Sequence, residues 1–171
     1  MKKTLIFFTL LAAAAAIVTA CGDKEPEKEP GQNLEGEILP LPTSEEVTAW
    51  FEKYLPPVSG VESEIFFVDD DEGKCLMINS IEELKAIMRT SVELPAIDFK
   101  NNTLIIGQQV VPTTSFSVLR QNLDVGSKKI TLDLTAKVPE ASYQGFSCLY
   151  YWGIYQKLID APIEVNVTHQ K

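Results

Sequence analysis

The chain has 171 residues, of which 45% are apolar and 23% charged. That is room for one domain and a tail, and it excludes both wholesale disorder and two full-sized domains. Fifteen basic residues against 24 acidic give a formal charge of −9, without the basic footprint of a nucleic-acid binder. The single His excludes multi-histidine metal sites and most histidine-based relays.

Residues 1–20 read as an export signal. Lys2 and Lys3 open it, residues 5–18 form an apolar run broken only by Thr9, and small residues follow. About 14 apolar residues are short of the roughly 20 that cross a bilayer as a helix. Val18-Thr19-Ala20-Cys21 resembles the bacterial lipoprotein box. The resemblance implies cleavage before Cys21 and lipid, palmitate included, on its sulfur and amine. Several acyl chains anchor stably where one does so marginally. Cleavage removes two lysines and leaves 13 bases against 24 acids, a formal −11.

Residues 21–42 read as a lipidated Cys and a flexible acidic tether. The stretch Asp23-Lys24-Glu25-Pro26-Glu27-Lys28-Glu29-Pro30 has almost nothing to bury. Acids close behind Cys21 resemble the surface-export signal of Bacteroidota lipoproteins, which implies an outer-membrane anchor with surface exposure preferred to a periplasmic facing. Residues 22–72 hold 15 acids and 3 bases, whereas residues 73–171 hold 9 and 10, so the acidity belongs to the approach to the domain.

Residues 43–60 read as a helix and linker. Thr43-Ser44-Glu45-Glu46 supplies a cap and first-turn acids, and Val47, Trp50, Phe51 and Tyr54 recur on one helical face until Pro56-Pro57. Residues 65–68 are β-favouring and lead into the turn-like Asp69-Asp70-Asp71-Glu72-Gly73. Residues 75–78 read as a strand. Asn79-Ser80 with Glu82-Glu83 opens a second helix expected to bury Ile81, Leu84, Ile87 and Met88. Strands are then expected over residues 103–111, 115–123, 129–138, 147–158 and 163–169. The third of these alternates cleanly, with Ile130, Leu132, Leu134, Ala136 and Val138 inward and Thr131, Asp133, Thr135 and Lys137 outward. Consecutive strands with short turns suggest hairpins. The expected fold is α+β: an antiparallel sheet, curved or sandwich-like, packed on one or two helices.

Ile78-Asn79-Ser80-Ile81-Glu82-Glu83-Leu84 and Pro95-Ala96-Ile97-Asp98-Phe99-Lys100-Asn101-Asn102-Thr103-Leu104, with the aromatic strand and Val165-Asn166-Val167, resemble a recurring domain of Bacteroidota lipoproteins. That domain is similar to the C-terminal domain of the PrcB family of protease-complex-associated lipoproteins, and the match covers about residues 61–171. It implies the fold above and a stabilising or inhibitory partner role. Its motifs are structural and assign no chemistry.

The chemistry candidates are few. Asp69-Asp70-Asp71-Glu72-Gly73 fails the EF-type register, because Gly73 falls at the fifth position and Ser80 at the twelfth. Asp98 reads as a turn former. His169 stands near the C-terminus with no nucleophile context. Along the aromatic strand, Cys148, Tyr150, Trp152 and Ile154 share one face, while Leu149, Tyr151 and Tyr155 share the other. One face is core, and the other is either covered or a platform, with Tyr151 and Tyr155 as its candidate residues. Cys75 and Cys148 form a candidate disulfide, with two separate buried thiols as the alternative. No catalytic residue, metal site or cofactor is expected. The reading is a non-enzymatic envelope lipoprotein, anchored to the membrane through Cys21, that engages an envelope protein partner and no nucleic acid. The alternative is a carbohydrate-binding module using the strand around Tyr150 to Tyr155.

Overall fold

A computed structural model describes residues 35–56, 58–59, 73–89, 91–111, 116–137 and 147–170. Cys21, residues 65–68 and Asp69 to Glu72 therefore lie outside the described residues. In chain order the elements are β1 (Gly36–Ile38), α1 (Glu45–Tyr54), β2 (Val58–Ser59), β3 (Lys74–Ile78), α2 (Ile81–Ala86), β4 (Asn102–Val111), β5 (Ser117–Val125), β6 (Ile130–Lys137), β7 (Ser147–Gln156) and β8 (Ile163–Gln170).

Both helices begin as their sequences dictate. The Ser44 hydroxyl accepts from the Val47 amide, with Glu45 and Glu46 in the first turn. At α2, Ser80 accepts from the Glu83 amide at 3.1 Å and Glu83 reaches back to the Asn79 amide at 2.6 Å. α2 is shorter than its pattern suggests: Leu84 is fully buried, while Ile81, Ile87 and Met88 are half-buried beside it.

The strands form two four-stranded sheets that enclose a core. One runs β2-β7-β4-β3, the other β1-β5-β6-β8. Ile105, Leu123, Ile130, Leu132, Leu134 and Leu149 fill the space between them. α1 and α2 cover the far face of the first sheet, where Val47, Phe51, Leu55 and Leu84 meet Leu104, Ile106, Tyr150 and Ile154. The layers are thus helices, sheet, sheet, an α+β arrangement.

Three expectations need correction. First, β8 pairs with β6 in parallel, Ile130 opposite Ile163 through Lys137 opposite Gln170, so the molecule is not built of hairpins alone. The connection over residues 157–162 leaves one sheet and enters the other, which local hydrophobic period does not report. Second, β1 lies inside the stretch read as tether. Gly36, Glu37 and Ile38 pair with Val125, Asp124 and Leu123, Ile38 packs on the inter-sheet core, and the Leu41 amide donates to the Ile154 carbonyl at 2.7 Å. Third, β5 runs on to Val125, with the turn over residues 126–129 closed by Gly126 N–H donating to the Lys129 carbonyl at 3.0 Å. A register shift between Val118 and Arg120 marks a β-bulge in β5.

Candidate binding surfaces

The aromatic strand β7 is the natural place to seek a site. It pairs with β4 over ten positions and with β2 at Leu149 and Cys148, so it is interior to its sheet. The face assignment holds: Tyr150, Trp152 and Ile154 point to the helices, while Leu149, Tyr151 and Tyr155 point to the second sheet. The candidate platform does not. Tyr151 is 3% exposed and Tyr155 0%. Both rings belong to the core between the sheets, because the strands of the second sheet cover this side of β7. α1 covers the other side, where the Phe51 ring stacks on Trp152 with centroids 4.1 Å apart and planes 15° from parallel. Trp50 is held by its indole N–H donating to the Glu93 carbonyl at 2.7 Å.

The polar ends of these tyrosines are satisfied inside. The Tyr151 hydroxyl donates to the Lys74 carbonyl at 3.2 Å. Gln121, inward on β5, donates to the Tyr155 hydroxyl at 2.9 Å and so links the two sheets. Burial pushes the Tyr155 phenol up to about 12 and the Tyr151 phenol higher still. Glycines make room for this packing. A Cβ on Gly107 would lie 2.3 Å from the Tyr151 ring and 2.4 Å from the Lys74 carbonyl oxygen, and one on Gly153 would lie 2.7 Å from the Gln121 amide nitrogen. The sequence signal was a glycine inside a strand, which marks a close approach.

Cys75 and Cys148 are not bridged. Neither sulfur is in a disulfide. Cys75 sits opposite Gly107 and packs on the inter-sheet core, whereas Cys148 sits opposite Val110 and packs on the helix side. β4 separates their strands by two spacings, roughly 9–10 Å, beyond the reach of about 7 Å between Cα atoms, and they face opposite ways. Burial pushes the Cys75 thiol up to about 11, against a hydrogen bond with Tyr151 that pulls it down, which favours the protonated form at neutral pH.

The remaining candidates are structural or solvated. Asp98 accepts from the Lys100 amide at 3.1 Å and from the Asn101 side-chain amide at 2.8 Å, and its carbonyl accepts from the Asn102 amide at 2.9 Å. The Asn101 hydrogen bond, aided by the backbone amides, holds its carboxyl below the ordinary range. It builds the turn that starts β4. Thr103, fully buried, donates to Asn79 at 2.7 Å and accepts from the Leu158 amide at 3.1 Å, a polar lock that pattern reading missed because a lone Thr in a strand is commonplace. His169 is exposed on β8. Among the described residues, no group of three or more His, Cys, Asp or Glu could hold a metal ion. No helix among them is long and apolar enough to cross a membrane.

One sheet face has no helix over it among the described residues: the outer side of β1-β5-β6-β8. It carries Thr131, Asp133 and Thr135 from β6, and Glu164, Asn166 and Thr168 from β8, outward by alternation. Asn166 donates to Asp133 at 3.1 Å, Lys129 pairs with Glu164 at 2.7 Å, and Arg120 pairs with Glu37. This face is polar, and its charges are largely paired. The large apolar side chains that stand well exposed among the described residues are Leu39, Leu119 and Ile159, none of them aromatic. No family model, curated protein or solved structure matches the chain.

Proposed function

We propose that the chain is a non-enzymatic lipoprotein of the bacterial cell envelope, held to the outer membrane by lipid on Cys21, whose folded part is an accessory module for an envelope protein partner. The observation that carries this reading is the sequence of residues 2–21: two lysines, an apolar run, and Val18-Thr19-Ala20-Cys21. The acids behind Cys21 favour the outer surface over the periplasmic side. The aromatic strand gives no support to the carbohydrate alternative, since Tyr151 and Tyr155 are spent on the core.

β1 begins at Gly36, 15 residues after Cys21. A flexible stretch of the 14 intervening residues, the reading their composition supports, would span roughly 20 Å on average and would hold the folded part close to the lipid headgroups. The test is Cys21→Ala in the native envelope, followed with an alkyne analogue of palmitate. The variant should lose the label and leave the membrane fraction. A variant that stays fully membrane-bound, or a wild-type chain that takes no label, overturns the reading.

A further inference from the structure

We propose that the margin formed by β1 and the bulged start of β5 is a membrane-contact surface, where Leu39 and Leu119 enter the headgroup region of the bilayer that holds the lipid of Cys21. Large apolar side chains exposed one at a time are ordinary. Of the three that stand well exposed among the described residues, two share this margin: Leu39 is 60% exposed and Leu119 52%. Leu39 follows directly on the last β1 pair, Ile38 with Leu123, and Leu119 is the extra residue of the bulge between Val118 and Arg120. One ion pair ties the two segments together, because Glu37 stands two residues before Leu39 and Arg120 one residue after Leu119. A bulge re-aims a side chain out of the strand's alternation, and here that side chain is a leucine.

The bilayer is the occupant because of where the chain beyond the described residues leads, and the contact therefore rests on the lipoprotein reading. Gly36 lies 15 residues after Cys21, and a flexible stretch between them spans roughly 20 Å on average. Leu39 is three residues past Gly36, about 10 Å of extended chain. The margin with the two leucines is thus the side of the fold that the anchor brings to the headgroups, with no need to stretch the tether. The charges nearest Leu119 along the ladder suit that place. They are Arg120, paired with Glu37, and Lys137, opposite Ser117. Long basic side chains lay their stems on apolar surface and keep the charge at headgroup level. Two leucines hold a free protein weakly, but with the acyl chains already inserted they have only to orient it. The orientation leaves α1, on the far face of the other sheet, away from the lipid.

The test uses the full lipidated chain on phosphatidylcholine vesicles whose acyl chains carry a shallow nitroxide quencher. Ser117→Cys, exposed two residues from Leu119, takes a fluorophore with both leucines in place, and Glu52→Cys, exposed on α1, is the control. The wild-type chain, with Cys75 and Cys148, sets the labelling background. Quenching at position 117 should exceed that at position 52 by at least about threefold. Adding Leu39→Asp and Leu119→Asp should abolish the difference, with flotation on the vesicles and Tm both unchanged, since the two side chains are exposed. Flotation reads the anchor by itself: a chain that does not float overturns the lipoprotein reading and this contact with it. A chain that floats with equal quenching at the two sites overturns the contact alone. A difference that survives the two Asp substitutions, or a Tm that falls with them, overturns the role of the leucines. A label at position 117 that is shielded from aqueous iodide yet untouched by the nitroxide would assign the margin to a protein and overturn the bilayer as its occupant.

Discussion

The two sheets have four strands each and differ in what lies on their outer faces. β2-β7-β4-β3 is covered on both, by α1 and α2 on one side and by the second sheet on the other. Among the described residues, β1-β5-β6-β8 is covered on one. The difference is written into the strands. β4 is buried at six successive positions, from Thr103 to Gln108, and β7 carries large apolar or aromatic residues on both faces. β6 alternates buried and half-buried from Ile130 to Ala136 without a slip. A strand buried on both faces has no second face to spare, and this is why the richest aromatic run in the chain is a core and not a platform.

Substitutions can break or sharpen that comparison. The largest effect is expected on β6. Leu132→Asp puts an unpaired charge in the inter-sheet core and should cost about 4 kcal/mol or more, enough to unfold a marginal domain. Thr131→Asp, one residue away on the uncovered face, should stay within about 0.5 kcal/mol. Chemical denaturation of both variants checks this, and similar losses would mean that the second sheet is covered on both sides too.

Next is the doubly covered sheet, where both parities should be sensitive. Gly107→Ala drives a Cβ against the Tyr151 ring and the Lys74 carbonyl, and backbone cannot yield as a side chain can. A loss of about 3 kcal/mol is expected from such overpacking, with the midpoint of urea unfolding as the measurement. A neutral Gly107→Ala would place Tyr151 elsewhere and reopen the platform. Tyr155→Phe is smaller. It keeps the ring and leaves the Gln121 amide without its partner, for a loss of about 1–2 kcal/mol.

The legibility of the chain follows the same division. Alternation fixed the faces of β6 and β7 correctly, and the caps at Ser44 and Ser80 located both helices, because these signals are local. What failed was long-range. Nothing in Ile163-Glu164-Val165 tells a parallel partner from an antiparallel one. Nothing in Gly36-Glu37-Ile38 distinguishes three residues of strand from a tether, since three residues carry no period and β1 exists only because β5 has an edge to offer. Tyr151 and Tyr155 were assigned to one face correctly, yet what covers that face depends on strands that pair elsewhere. Cys75 and Cys148 were likewise both correctly placed in strands, but only the β3-β4-β7 order reveals that a strand stands between them.

The smallest and most specific effect concerns alkaline pH. The inter-sheet core holds Cys75 and Tyr155 in their neutral forms. Burial raises the Cys75 thiol from 9.0 to about 11 and the Tyr155 phenol from 10.0 to about 12. For each group the folded value lies above the unfolded one, so the unfolded chain gives up its proton first as pH rises. The stabilisation is fully present below the unfolded value and is lost on the way up to the folded one. Tm should therefore be level up to about pH 9, fall from there as the thiol titrates, and fall faster above about pH 10 when the phenols join. Cys75→Ala removes only the first component, so its Tm should hold level for about one further pH unit before falling. Thr135→Ala, outward on β6, should leave the profile as it is. A Cys75→Ala profile that begins to fall at the wild-type pH would mean that the thiol is open to solvent and that this side of the doubly covered sheet is not closed.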